Sequence, residues 1–177
     1  EPILPILELA ARDSRPLVVV AEEIEGQLLA ALIMNTVRGS MKIVAVKAPY
    51  YGQQRRDFLS DLAAITGSKF ISRESGVTFR DFKLEYFGKA EKIEVRKNQT
   101  TIVGGKSDYE KIENTIQQLK EAIKEISLDE ASDNLAECNR IQERINRLSS
   151  GVAIIKVGGN TEIEAREKKH RVEDALE

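Results

Sequence analysis

The sequence holds one cysteine, one histidine and no tryptophan, and only five Phe and four Tyr among its 177 residues. The lone thiol, Cys138, excludes a disulfide within the chain and any metal site built on several thiolates of one chain. It lies between Glu137 and Asn139 in an expected helix, where a packed or half-exposed thiol accounts for it. His170 sits in the charge run REKKHRVED, which reads as a solvated helix face. A Ser/His/Asp or Cys/His catalytic arrangement is therefore left without a base.

Long apolar runs are missing too. LVVVA and LLAALIM fall far short of the ~20 residues that span a bilayer, so a soluble chain with no membrane partner is expected. Charge of one sign is also lacking: 27 basic residues face 29 acidic ones, a net charge of -2, which argues against nucleic acid or anionic lipid as a partner held by bulk charge. The chain begins at Glu1 without Met and stops at Glu177, each inside an apolar-periodic pattern, and we expect a piece of a longer protein.

What is present is an alternation of element types. Runs rich in β-branched residues read as strands at Leu17 to Ala21, Lys42 to Val46, Lys69 to Ser72, Lys92 to Arg96, Gln99 to Val103 and Val152 to Val157. Only Lys97 and Asn98 separate the fourth from the fifth, which predicts a tight hairpin, with Asn98 tolerant of positive φ. Helical patterns cover Ile3 to Arg12, Glu25 to Arg38 and Gln54 to Ile65; two long charged helices follow, Asp108 to Ile126 and Glu130 to Leu148. Ser107 with Glu110, and Thr161 with Glu164, match capping boxes. The fold class is α/β, with mixed sheet layers flanked by helices. Ser149-Ser150-Gly151 reads as a flexible joint, so a boundary is expected between residues 1–151 and 152–177.

Two glycine turns follow strands and precede helices, where backbone N–H groups can cradle phosphate. Gly105-Lys106-Ser107 is the tail of a phosphate-binding loop, but Thr100 stands where that motif needs glycine. Gly158 and Gly159 in KVGGN make a similar turn. An α/β enzyme using either turn for a phosphate ligand remains the alternative reading.

The stretch Leu28 to Gly39, LLAALIMNTVRG, carries more apolar residues than one buried stripe needs. On a helix, Leu28, Ala31 and Leu32 fall on one side, while Leu29, Ile33, Met34 and Val37 spread over another. Both faces can be core. Alternatively one packs on the sheet and the other, beside the Ile- and Leu-rich helix at Ile3 to Leu9, forms an apolar groove for a partner.

The stretches PLVVVAEEIEG, LIMNTVRG, AVKAPYYG with its Arg pair, LAAITG and GVAIIKVGGNTEIEAREKKHRVEDAL resemble the group I chaperonins of the GroEL type along essentially the whole chain. The resemblance implies that residues 1–151 are most of an apical, polypeptide-binding domain without its first strands, and that 152–177 return into an intermediate domain. It further implies that Leu4, Leu7, Leu29, Leu32, Ile33 and Met34 bind non-native polypeptides and the mobile loop of a co-chaperonin, in a homo-oligomeric ring that hydrolyses ATP with Mg. Asp174 then matches the carboxylate that assists ATP hydrolysis in the intact parent, Glu162 an inter-domain or inter-subunit ion pair, and Ser150 with Gly151 the hinge. No cofactor is expected on this chain itself, and the resemblance implies a bacterial-type cytoplasmic or organellar setting. The chain departs from the family at Tyr50 and Ser150, where glycine is usual, and in the longer stretch from Ser127 to Asn139.

Overall fold

The computed structural model describes residues 3–128 and 134–156. Its elements run α1 (Leu4–Arg12), β1 (Leu17–Ala21), α2 (Gly26–Val37), β2 (Ile43–Lys47), α3 (Gly52–Thr66), three single 3-10 turns, β3 (Ala90–Arg96), β4 (Gln99–Gly105), α4 (Tyr109–Leu128), α5 (Leu135–Ser150) and β5 (Val152–Lys156). β1 and β2 pair in parallel, Leu17 opposite Ile43 and Ala21 opposite Lys47, with α2 as the crossover that parallel pairing requires. β3, β4 and β5 form an antiparallel sheet in that order.

Val46 of β2, Phe58 and Leu62 of α3, Ile102 of β4, and Ala153 and Ile155 of β5 share one core. α1 and α2 cover a second, in which Leu7 and Leu32 meet Ile43 and Ala45 of β2. A third joins Ile65, Ile112 and Leu148, where α3, α4 and α5 converge. Among the described residues no helix is long and apolar enough to cross a membrane.

The mixed α/β class holds, and several local expectations need correction. Lys69 to Ser72 forms no strand; the Lys69 N–H bonds the Tyr86 carbonyl at 3.0 Å and a 3-10 turn follows, so β propensity there finds no ladder to join. α4 starts one residue later than the capping box implied: it is the Asp108 carboxylate that accepts from the Lys111 N–H, at 3.5 Å. Lys97 and Asn98 do make a two-residue turn, with Arg96 opposite Gln99, yet Asn98 is not among the residues with positive φ. The boundary placed after residue 151 does not divide the packing. β5, beyond it, pairs with β4 from Val103↔Val152 to Gln99↔Lys156 and puts Ala153 and Ile155 into the shared core. Thr161 with Glu164 lies outside the described residues.

Candidate functional site

α2 is a twelve-residue helix without a charged side chain. Its inner stripe is Leu28 and Leu32, the latter 3% exposed against Ile43 and Ala45. Two of its three polar side chains hydrogen-bond nearby backbone: Asn35 Nδ2 donates to the Ala31 carbonyl at 2.9 Å and Thr36 Oγ1 to the Leu32 carbonyl at 3.0 Å, while the third, Gln27, is exposed. Apart from Gln27 and Thr36, what faces outward is apolar. Leu29 and Ile33 are half-buried, Met34 is 53% exposed and Val37 75%.

α1 has proline in its first turn, where the missing N–H is no loss. Ile6, Leu7 and Ala10 are buried, while Leu4 stays 51% exposed. Leu7 and Leu32 belong to the same core cluster with Ile43 and Ala45, so the two helices turn their inner faces to one core.

Leu7 and Leu32 were expected in the binding set, and the structure corrects this. Leu7, 4% exposed, lies one turn from Ile3 and so on the stripe that meets the sheet, and Leu32 follows Leu28 by one turn in the same way. Leu4, Leu29, Ile33 and Met34 remain accessible to differing degrees. Val37, four residues beyond Ile33, lies on the same helix face and is also exposed.

Behind this face the scaffold is held by charge as well as by packing. Arg55, buried, bonds Glu22 at 2.8 Å and the Pro49 carbonyl at 3.4 Å, and its guanidinium lies over the Tyr51 ring. Asp61, 2% exposed, accepts from Arg144 at 2.9 Å and Arg147 at 2.7 Å, which ties α3 to α5. Burial works against the charge of Arg144, but the hydrogen bond to Asp61 and the charges of Asp61 and Asp57 outweigh it and raise its pKa. Arg147 also lies over the Phe58 ring, 4.7 Å from its centre.

The glycine turn after β4 does not have the form of a phosphate cradle. A Cβ on Gly105 would stand 1.9 Å from the Ile65 carbonyl oxygen, and one on Gly104 2.6 Å from the Glu91 carboxylate. Gly105 lets β4 cross the end of α3 at close range, while Gly104 lies against Glu91 of β3. Gly158 and Gly159 lie outside the described residues. Among the described residues no group of three or more His, Cys, Asp or Glu could hold a metal ion. A polar cleft of about 420 Å³ lies away from α1 and α2, lined by Gln53, Arg56, Ser60, Phe70 and Glu74 among others, and Arg56 pairs with Glu74 there at 2.9 Å.

Ser150 and Gly151 end α5. Gly151 takes φ 63° and its N–H bonds the Arg147 carbonyl, while Ser150 Oγ donates to the same carbonyl and accepts from the Val152 N–H. Tyr50 holds φ 63°, a left-handed value that favours glycine. Cys138 is half-buried. Asp174, Glu162 and His170 lie outside the described residues.

A scan of family models finds no match. The chain is 42% identical over 177 residues to the chaperonin GroEL of Wolbachia sp. subsp. Brugia malayi, a match covering 99% of this chain and 31% of that protein. Its fold resembles the chaperonin gp146 from the bacteriophage EL (Pseudomonas aeruginosa), crystallised in the presence of ATP-BeFx, with a TM-score of 0.50 at 19% identity, over 99% of this chain and 34% of the other. The chain thus spans about a third of the length of either protein.

Proposed function

Since the chain belongs to the GroEL-type chaperonins along the stretch it shares with them, we propose that it is the polypeptide-binding part of a chaperonin subunit, and that Leu4, Leu29, Ile33, Met34 and Val37 hold non-native protein. The observation that supports this most is the division of apolar residues on α2. Leu32 is spent on the core, yet four more apolar side chains stay in contact with water on a helix that carries no charge.

The mechanism follows from burial. Apolar area removed from water contributes roughly 25 cal/mol per Å² whatever the sequence that brings it. A face of Leu, Ile, Val and a flexible Met therefore accepts many unfolded chains, and few folded ones, because folded chains have already buried their apolar side chains. Release requires the face to be covered or turned away. In this reading a co-chaperonin loop competes for the same side chains, and ATP hydrolysis elsewhere in a homo-oligomeric ring supplies the movement.

ATP and Mg would be held by parts of the parent beyond the described residues, since the turn after β4 is packed against α3. Asp174, Glu162 and the Ser150-Gly151 joint keep the roles that the family likeness implies, as parts of this proposal.

Replacing Leu29 and Ile33 together by Ser tests it. Each substitution should cost less than the about 2–5 kcal/mol of a buried Leu32→Ala, because both side chains are already partly hydrated, and the double variant should stay folded. Capture of a chemically denatured protein, followed by suppression of its light scattering, should be lost in the double variant. Full capture by a folded double variant would refute the assignment.

A further inference from the structure

The two ends of the apolar helix carry opposite charge. Glu25 occupies the N-cap position of α2 without using its side chain as a cap, and Arg38 occupies the C-cap position. Both are exposed, and neither side chain forms an ion pair among the described residues. Close in sequence to Arg38, Lys42 is an exposed group of the same sign. Glu22 is engaged by Arg55. Between Glu25 and Arg38 lie twelve residues with no charge at all.

We propose that this face prefers apolar segments flanked by one basic and one acidic residue, an inference that rests on the polypeptide-binding role of α2. Twelve helical residues span about 18 Å, which an extended chain covers with about five or six residues. A segment of that length laid along Leu29, Ile33 and Val37 begins beside Glu25, one turn before Leu29 on the same row, and ends at Val37, next to Arg38, whose long side chain reaches that end from about 100° around the helix. A Lys at one end and a Glu at the other then meet opposite charges; two like charges meet one opposite and one equal. Because an extended segment can lie in either direction, the order of its two charges does not matter. Affinity comes from the apolar run, and the flanking charges choose among runs of equal hydrophobicity.

Glu25 and Arg38 also complement the helix dipole, and a purely structural role would end there. Three peptides sharing one apolar hexamer, flanked by Lys and Glu, by two Lys or by two Glu, separate the two roles by fluorescence anisotropy with the full 177-residue chain. At low salt the mixed peptide should bind roughly threefold to tenfold more tightly than either like-charged one. In about 1 M salt, where screening acts within ~3 Å, the gap should close. Glu25→Lys should move the preference to the doubly acidic peptide, and Arg38→Glu to the doubly basic one, with each variant's melting curve as the control for folding. Equal binding of all three peptides at low salt, or a rank order unmoved by both folded variants, would overturn the inference. If the Leu29→Ser, Ile33→Ser variant abolishes binding while the flanks make no difference, only this inference falls. If that variant binds all three peptides as before, the site itself falls with it.

Discussion

The Tyr50 ring lies 5.8 Å from the Phe58 ring, and the backbone of Tyr50 holds it there from a left-handed conformation. Phe58 is in turn overlaid by Arg147, so the turn after β2 is linked through one core phenyl group to the end of α5. Glycine, usual in the family at this position, would take φ 63° without strain but would offer no ring. The two effects can be separated. Tyr50→Gly and Tyr50→Ala both remove the ring contact and differ in backbone strain, so the glycine variant should be the more stable by about 1 kcal/mol in urea unfolding. Equal stabilities would mean that the backbone relaxes out of the left-handed region once the ring is gone.

Asp61 is the most consequential charge in the scaffold. Its carboxylate is 2% exposed and bonded by two guanidinium groups from α5. Asp61→Asn leaves Arg144 and Arg147 with a neutral partner, and a loss of about 3–5 kcal/mol is expected, as for a broken buried pair. Hydrogen exchange should rise first along α5, while α1 and α2, which pack on a different cluster, keep their protection.

Gly105→Ala tests the reading of the glycine turn. The added methyl would meet the Ile65 carbonyl at 1.9 Å, so β4 or α3 must move, and the variant should be severely destabilised or fail to fold. Gly26→Ala, with nothing within 4 Å, is the matched control and should stay within about 0.5 kcal/mol of the parent. A phosphate-binding turn with open space at Gly105 would tolerate the change and lose only ligand.

Periodicity and β-branched content placed all five described helices and all five described strands, because each is decided by residues close in sequence. Lys69 to Ser72 failed for the opposite reason: a strand needs a partner, and its own residues cannot announce that none is there. The joint at Ser150-Gly151 was visible as a turn, but its composition could not reveal that Ala153 and Ile155 beyond it complete a core begun at Val46 and Phe58. Within the candidate site, helical spacing put Leu28 and Leu32 on one side and Leu29, Ile33 and Val37 on another. Which side faces the sheet is a tertiary fact, and it removed Leu7 and Leu32 from the binding set.

The central claim is that the outward side of α2 holds non-native protein. A photo-crosslinking side chain at Met34 or Val37, with one at the more exposed Tyr109 as the control on α4, tests it directly. Illumination with a chemically denatured client should give adducts at Met34 and Val37 and few at Tyr109. Adducts at Tyr109 in equal yield, or none on α2, would contradict it.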